Sequence, residues 1–377
     1  MRLTAFRGAA VFDGKRLLPD HALLVDGGIA RPVPLTALPP DCDCRDLNGG
    51  TLMPGFVDLQ VNGGGGVMFN DAPTPATLDT IAQAHRALGT RYLLPTLITD
   101  RPEATAAAIS STAEAIASGV PGILGLHLEG PHLDVARKGA HDAALIREMT
   151  DADLELLLRA ADLLPNLLVT LAPESVSMAQ IEALDRAGVI VFLGHSDTDY
   201  DTALLAQTAG ARGVTHLFNA MSQLGSRSPG LVGAALDCGG LSAGLIADGI
   251  HVPPATIRRA LAAKAGPGAL FLVTDAMACA GSDIPGFTLN GRPVSRRNGR
   301  LELSDGTLAG ADLSMARALE VMMTDVGDAP EVALARATSI PAAILNAPGQ
   351  AGHLPAPVGD VIYLAEDFTV RGVEALS

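Results

Sequence analysis

The 377-residue chain is poor in cysteine and lacks the spacings in which cysteines usually act together. It has four cysteines, with one C-x-C pair and no C-x-x-C pair. Disulfide frameworks need closely grouped cysteines in a small secreted chain, so we expect free thiols. We interpret the C-x-C pair, Cys42 and Cys44 in PPDCDCRD, as part of a surface loop, with a zinc site there as the alternative.

Positive charge is also scarce. The formal net charge is −15, and no run of lysine and arginine forms a basic segment within this acidic chain. Such a chain repels nucleic-acid phosphates and anionic lipid, so neither nucleic acid nor a membrane surface is an expected partner. The N-terminal sequence is broken by charges before an apolar segment forms, and no uncharged run reaches the length that spans a bilayer. We therefore expect a cytoplasmic protein.

Nucleotide-binding glycine loops are absent as well. The stretch FVDLQVNGGGG, residues 56–66, ends in four glycines, but neither the G-x-G-x-x-G nor the G-x-x-x-x-G-K spacing occurs there. We expect these glycines to allow close backbone approach and positive φ angles instead of binding phosphate.

Apolar residues are plentiful and regularly distributed. They make up 48% of the chain, and eight apolar runs alternate with helical patterns between residues 56 and 275. Near-continuous apolar strands separated by helices are typical of a parallel sheet that is covered on both faces. The runs are 56–61, 91–99, 122–129, 167–172, 189–195, 213–218, 241–248 and 269–275, and the helix candidates are 75–88, 102–117, 151–161, 177–187, 254–264, 311–326 and 337–346. Eight such units predict an α/β fold, a (β/α)₈ TIM-like barrel.

The two ends of the chain have a different pattern, with short strand-like pieces separated by turn signals. Because chain termini often lie close together, residues 1–53 and 348–377 are predicted to form one small discontinuous β-sandwich domain beside a barrel of residues 54–347. Residues 286–304 are interpreted as a hairpin inserted into the barrel.

Polar side chains end several of the apolar runs, at the edge of a barrel where active sites lie. Glu129 ends the third run, His195 the fifth and Asp275 the eighth, while His216 lies in the sixth. Two imidazoles and a carboxylate that converge with an open position are typical of a catalytic zinc or similar divalent site. Glu129, His195 and His216 are therefore predicted to bind the metal, and Asp275 to act as general base and then general acid.

Seven motifs in register around the predicted barrel resemble one known family. They are HLEGPH (127–132), KGAH (138–141), GHSDT (194–198), THLFNAM (215–221), IADGIHV (246–252), LVTDAM (272–277) and GTLAGA (306–311). Together they resemble the N-acetylglucosamine-6-phosphate deacetylases of the amidohydrolase superfamily, over essentially the whole chain. The resemblance implies a hydrolase of a linear amide that converts N-acetylglucosamine 6-phosphate to glucosamine 6-phosphate and acetate, in amino-sugar catabolism or cell-wall recycling.

The same resemblance implies roles for individual residues. Glu129, His195 and His216 would hold one divalent metal per subunit, for which zinc is expected and iron or another divalent ion stays open. Asp275 would be the acid/base, with His141 near the acetyl amide. The implied substrate-binding residues are Ala140, Asn219, Ala220, Arg227, Asp248, His251, Leu308 and Ala309. A homodimer is also implied, and whether Arg227 and His251 act in the neighbouring subunit's site stays open.

Gln60 and Asn62 stand where many amidohydrolases have the His-x-His pair that holds a second metal. Carboxamide oxygens are weak ligands for transition metals compared with imidazole, and the fourth strand, LLVTLAPES, lacks the lysine that many binuclear relatives use. Gln60 and Asn62 are therefore predicted to form a degenerate second-metal position. The simpler alternative is that they bond to the glycine turn.

Two other functions remain open from the sequence. One keeps the chemistry but changes the substrate to another N-acetylated amino-sugar phosphate. The other is a non-catalytic barrel that binds a sugar phosphate.

Overall fold

The computed structural model describes residues 3–376 and begins with a set of short strands. These are β1 (Thr4–Arg7), β2 (Ala10–Phe12), β3 (Leu17–Leu18), β4 (His21–Asp26), β5 (Ile29–Pro34), β6 (Asp43–Asp46) and β7 (Thr51–Pro54). Gly8, Gly14 and the Gly27–Gly28 pair, all at positive φ, lie in the turns between them and permit the tight reversals that such short strands need.

Eight parallel strands then form the barrel. They are β8 (Phe56–Val61), β11 (Thr90–Ile98), β12 (Leu126–Glu129), β13 (Leu167–Leu171), β14 (Ile190–Leu193), β15 (Gly213–Val214), β16 (Ser242–Leu245) and β17 (Leu270–Leu272), which pair in chain order. The first and last strands are joined beyond the end of β17, where Val61 and Ala276 form a parallel bridge. This bridge closes the sheet, so the predicted (β/α)₈ barrel is confirmed.

The glycine turn after β8 forms a small hairpin of β9 (Gly63–Gly64) and β10 (Val67–Met68). Gly65 has φ +62°, and a Cβ on Gly63 would lie 2.5 Å from the Val67 carbonyl oxygen. The glycines therefore serve close approach and left-handed backbone, as the sequence predicts.

Ten helices occur within residues 3–376. They are α1 (Pro75–Ala87), α2 (Pro102–Ala117), α3 (Asp151–Leu163), α4 (Met178–Arg186), α5 (Tyr200–Thr208), α6 (Gly230–Asp237), α7 (Pro254–Ala263), α8 (Met315–Glu320), α9 (Pro330–Arg336) and α10 (Ser339–Ala342). Local sequence explains several starts: Thr150 and Ser177 form capping boxes, and prolines occupy the first turn of α1, α2 and α7. Among residues 3–376 no helix is both long and apolar enough to cross a membrane.

Three of these helices, α5, α6 and α9, are not among the predicted ones. The predicted helix 311–326 is shorter than expected, since α8 covers only Met315–Glu320 and a π-helical turn, Val321–Val326, follows it. The predicted helix 337–346 contracts to α10. Helix α6 is buried from Gly230 to Leu236, and α5 exposes Leu205, so neither helix has one apolar and one polar face to give a clear periodic signal.

The segment predicted as a hairpin is larger in the structure. Four antiparallel strands, β18 (Gly286–Leu289), β19 (Arg292–Arg297), β20 (Arg300–Leu303) and β21 (Leu308–Ala311), form a separate sheet. Ala311 bridges to Ala276, which follows the last barrel strand. The inserted sheet thus attaches at the edge of the barrel where the polar side chains end the strands.

Strands from both chain ends combine beside the barrel. The last strands are β22 (Ala356–Pro357), β23 (Val361–Leu364) and β24 (Val370–Gly372), and β22 pairs with β5 while β23 pairs with β7. The two resulting five-stranded sheets enclose an apolar core that includes Phe6 and Leu52, which confirms the discontinuous β-sandwich. The limits 1–53, 54–347 and 348–377 stay a prediction, and residues 1, 2 and 377 of these ranges lie outside the described residues.

Candidate active site

A cavity of about 410 Å³ opens at the carboxyl ends of the barrel strands. Loops that follow the strands form its floor, and the inserted sheet forms one wall. The lining residues include Asn62, Glu129, His141, His195, His216 and Asp275. The predicted metal ligands and the predicted acid/base therefore share one cavity, although they lie far apart in the sequence.

Glu129, His195 and His216 meet in a tight triangle at the bottom of this cavity. Glu129 Oε1 lies 2.9 Å from His216 Nε2 and 3.2 Å from His195 Nε2, and the two nitrogens are 3.1 Å apart. Ligand atoms of a tetrahedral zinc ion, at the usual bond lengths, are about 3.3 Å apart. The triangle has nearly the dimensions of one face of such a coordination sphere.

The hydrogen bonds around the triangle show that it suits a cation. His195 Nδ1 lies 2.9 Å from the Arg137 carbonyl oxygen, which can only accept, so Nδ1 carries the proton of the neutral ring. The lone pair on His195 Nε2 then faces a carboxylate oxygen and a second imidazole nitrogen. Lone pairs that converge in this way repel one another unless a proton or a metal ion lies between them. A buried Glu/His/His group with this arrangement suggests a divalent metal.

His141 extends the cluster on its other side. Its Nδ1 is 2.7 Å from Thr99 Oγ1, and its Nε2 is 3.7 Å from Glu129 Oε2. Ligand atoms of Glu129, His141 and His195 all lie within 4.8 Å of one another. The site therefore has two overlapping triads, with Glu129 and His195 common to both and either His216 or His141 as the third donor.

Asp275 faces the cluster and is held by two carboxamides, Gln60 of strand β8 and Asn62 directly after it. Asn62 Nδ2 donates to Asp275 Oδ1 at 2.6 Å, and Gln60 Nε2 lies 3.2 Å from both Asp275 Oδ1 and Glu129 Oε1. These side-chain donors serve the carboxylates and not the glycine turn, so the simpler alternative for Gln60 and Asn62 is wrong. Two amides that donate to carboxylates leave little reason for a second cation at this position.

Burial and mutual charge shift the ionisation of the cluster. Burial raises the pKa of Asp275 to about 6, with a further contribution from the Glu129 charge. Burial would raise the pKa of Glu129 as well, but its close contacts with His141, His195 and His216 hold it well below its usual value. Burial and the neighbouring His141 lower the pKa of His195 to about 4. The surroundings thus lower the pKa of Glu129 and raise that of Asp275, so the two carboxyl groups suit different roles.

Backbone strain is concentrated at the same place. Of the eight non-glycine residues with positive φ in the described chain, five belong to the loops around the cavity: His195, His216, Phe218, Ala220 and Asp275. Left-handed backbone at a residue with a side chain costs of order 1–3 kcal/mol and persists only where surrounding contacts enforce it. Here it turns functional groups out of the strand direction and into the cavity.

The residues predicted to bind substrate are distributed unevenly. Ala140, Asn219, Ala220, His251 and Leu308 line the cavity. Asp248 lies behind His251, where its Oδ2 is 2.6 Å from His251 Nδ1 and orients the ring. Ala309 is fully buried in the inserted sheet, and Arg227 lies on the exposed loop 223–229. Neither Ala309 nor Arg227 lines this cavity.

Several cavity residues are absent from the predicted set. Arg137 lines the cavity and supplies the carbonyl that fixes His195, while Thr99 fixes His141. Thr99 follows a buried strand directly, which is a readable signal. Arg137 acts through its backbone carbonyl group, so its side-chain type gave no indication that it holds His195. His127, beside Glu129 in the sequence, is instead a core residue bonded to the Leu59 carbonyl and Thr170 Oγ1.

Comparison with known proteins gives consistent results. The profile of the NagA composite domain matches residues 4–52. An N-acetylgalactosamine-6-phosphate deacetylase of Shewanella sp. (strain ANA-3) is 45% identical over 87% of this chain and 82% of its own length. The structure of N-acetylglucosamine-6-phosphate deacetylase from Pasteurella multocida superposes with a TM-score of 0.91 at 35% identity, over 98% of this chain and 97% of that one.

A third relative was solved with a ligand. A point mutant of N-acetyl-D-glucosamine-6-phosphate deacetylase from Mycobacterium smegmatis, in complex with N-acetyl-D-glucosamine 6-phosphate, superposes with a TM-score of 0.88 at 31% identity, over 98% of this chain and 97% of that one. Because these similarities extend over at least four-fifths of each chain, the chain belongs to the N-acetylglucosamine-6-phosphate deacetylase family.

Proposed function

We propose that this protein is a metal-dependent hydrolase that removes the acetyl group from N-acetylglucosamine 6-phosphate, giving glucosamine 6-phosphate and acetate in amino-sugar catabolism. The observation that carries the proposal is the buried Glu129–His195–His216 triangle beside Asp275. A retained ligand triangle and a retained acid/base argue against a non-catalytic sugar-phosphate-binding barrel.

One divalent ion, zinc being the first choice, would be held by Glu129, His195 and His216, with His141 beside it. When bound, such an ion acts as a Lewis acid and lowers the pKa of water. Two imidazoles and one carboxylate also suit iron and other divalent ions. The Arg137 carbonyl fixes the ring of His195 so that its Nε2 faces Glu129 and His216, and Thr99 fixes the ring of His141.

Asp275 is assigned the proton transfers. In its ionised form it accepts a proton from the attacking water, and it then delivers that proton to the sugar nitrogen as the amide bond breaks. Asn62 and Gln60 hold its Oδ1, which leaves Oδ2 to exchange the proton. His141 Nε2 is assigned to the acetyl oxygen, to which it donates a hydrogen bond.

The sugar phosphate is assigned to the opposite end of the cavity, near His251, Asn219 and Ala220. Arg137 is the only lysine or arginine among the cavity-lining residues of the described chain, and its guanidinium is paired with Asp197 at 2.7 Å. A dianionic phosphate needs a stronger clamp than one histidine provides. We therefore propose a homodimer in which Arg227, exposed in one subunit, completes the phosphate site of its partner.

Replacing Arg227 with alanine is expected to raise KM for the 6-phosphorylated substrate at least tenfold and to change kcat/KM for the unphosphorylated N-acetyl sugar by less than twofold. The reason is that the guanidinium contacts only the phosphate. Steady-state kinetics on both substrates measures the difference. Arg259→Ala, at another exposed arginine, is the control. Equal losses on the two substrates would remove Arg227 from the phosphate site.

The 45% identical Shewanella relative favours a second substrate, the galacto epimer N-acetylgalactosamine 6-phosphate. The direct test is acetate release from both epimers under identical conditions, with metal content measured in parallel. We expect the gluco substrate to give the higher kcat/KM. A preference for the galacto epimer would select the second substrate, and acetate release from neither would reject the deacetylase assignment.

We also propose a cytoplasmic location and the division into residues 1–53 with 348–377 and residues 54–347. Pairing of β22 and β23 with N-terminal strands supports the division.

A further inference from the structure

Asp58 is a buried carboxylate that the proposed mechanism does not use. It lies in β8 two residues before Gln60 and is fully inaccessible to solvent. Burial of a carboxylate is unfavourable unless it accepts several hydrogen bonds. Its partners are therefore informative about what it does.

Most of the Asp58 hydrogen bonds go to one residue on the other side of the barrel closure. Asp58 Oδ1 accepts from the backbone amide of Thr274 at 3.2 Å, and Asp58 Oδ2 accepts from the Thr274 hydroxyl. The Gln60 amide, within β8, also donates to Oδ1 at 3.2 Å. Asp58 has no cationic partner among these contacts. Thr274 is the residue immediately before Asp275.

The Thr274 hydroxyl connects Asp58 to the backbone on the far side of Asp275. Its Oγ1 donates to Asp58 and accepts from the Ala276 amide at 3.2 Å. Asp275 between them has φ +51°, a conformation that surrounding contacts must enforce. Its own amide donates to the Gln60 carbonyl at 3.1 Å, and its carbonyl accepts from the Ala311 amide at 3.0 Å. The Asp58–Thr274 pair thus fixes both sides of the strained residue.

This arrangement lies where the barrel has little sheet pairing. Between β8 and the chain after β17, the closure consists of the Val61–Ala276 bridge and the hydrogen bonds of residues 274–276. In a regularly paired strand, successive side chains point to opposite faces of the sheet, and the Asp275 side chain would have to follow that pattern. A side-chain clamp allows the backbone to turn there and still close the barrel.

We propose that Asp58 and Thr274 are positioning residues: together they hold the left-handed turn that aims the Asp275 carboxylate into the cavity. The inference rests on the proposed function only in the role of Asp275 as acid/base. A misplacement of about 1 Å in a reacting group can cost on the order of 10²-fold in rate. Loss of the clamp should therefore lower kcat and leave substrate binding, which involves other residues, nearly unchanged.

Thr274→Val removes the hydroxyl and keeps the shape, whereas Thr274→Ser keeps the hydroxyl. We expect Thr274→Val to lower kcat by about 10²-fold with KM changed less than threefold and metal content intact, and Thr274→Ser to stay within threefold of the wild type. Asp58→Asn, which keeps the volume but exchanges an acceptor for a donor, should resemble Thr274→Val and is the second variant if the first fails to fold. The matched control is Thr338→Val, because Thr338 is buried and its hydroxyl donates to the Leu334 carbonyl at 2.7 Å, outside the site.

Crystal structures of the same variants test positioning without reference to any substrate. The expected result is an Asp275 carboxylate displaced by about 1 Å or more in Thr274→Val, a shift of the size that costs rate, and unmoved in Thr274→Ser and Thr338→Val. An unmoved Asp275 in Thr274→Val, or a moved one with unchanged kcat, overturns the inference. Absence of acetate release by the wild type would instead reject the proposed function, while the displacement still decides the positioning role.

Discussion

Asp275→Asn is expected to lower kcat by about 10³-fold or more, because the amide cannot accept a proton from water or return one to the leaving amine. The substitution keeps the volume, and it keeps an oxygen to accept from Asn62 and Gln60. Bound metal should therefore remain at the wild-type stoichiometry, and KM should change little. Stopped or continuous assay of acetate release, together with metal analysis of the same preparation, gives both numbers.

The control for this substitution is Asp325→Asn, at an exposed carboxylate beyond α8, which should retain full activity. Full activity in Asp275→Asn would show that the proton is carried by another group, and His141 would then be the next candidate. Loss of metal along with activity would show that Asp275 is a ligand and not the acid/base.

Glu129→Gln is expected to remove most of the bound metal and to leave less than about 1% of the activity. Glu129 is the only carboxylate in the triangle, and both imidazole Nε2 atoms lie within 3.2 Å of its Oε1. A neutral carboxamide is a much weaker ligand for a transition metal. Metal analysis after purification without chelator, followed by the acetate assay with and without added zinc, measures the effect. Glu155→Gln, at an exposed residue of α3, serves as the control.

Thermal stability gives a second measurement that does not depend on catalysis. A ligand that binds only the folded state stabilises it by about 2.7 kcal/mol at a free concentration of 100 times its Kd. A chelator should therefore lower the Tm of the wild type, and added divalent metal should restore it. In Glu129→Gln the chelator should have almost no effect. An equal chelator shift in both proteins would place the metal somewhere other than at Glu129.

Much of the fold was readable because its signals are local and repeated. Buried parallel strands give continuous apolar runs, and β8, β12, β13 and β14 are buried throughout. Helical patterns between these runs indicated the long helices α1 to α4 and α7. The inserted sheet was predicted only as a hairpin over residues 286–304. Tight turns join β18, β19 and β20 within this segment, whereas β21 follows a longer connection and was not recognised. Helices α5 and α6 were missed because neither has a single apolar face: Leu205 of α5 is exposed, and α6 is buried from Gly230 to Leu236.

Part of the candidate site could also be predicted from the sequence, for a different reason. Glu129, His195 and Asp275 stand at the ends of apolar runs, where a charged or imidazole side chain is costly unless it is bonded or functional. Of the residues that hold them, only Thr99, directly after a buried strand, stands where such a signal could be found. Arg137 acts through a carbonyl group, Thr99 and Thr274 through single hydroxyls, and Asp58 lies inside a strand, where it looks like a core position.

By itself the sequence determined the order of strands and helices, the edge of the barrel that carries the chemistry, and the types of side chain available there. Only the tertiary structure decided which donors converge and that Gln60 and Asn62 bond to carboxylates. It also decided that Asp248 lies behind His251 and that Arg227 lies outside the cavity. The physical reason is the separation, along the chain, of the residues on which each feature depends. Periodicity and capping depend on residues a few positions apart, whereas a site built from β8, β12, β14 and the residues after β17 depends on how the closed barrel brings together groups that are distant along the chain.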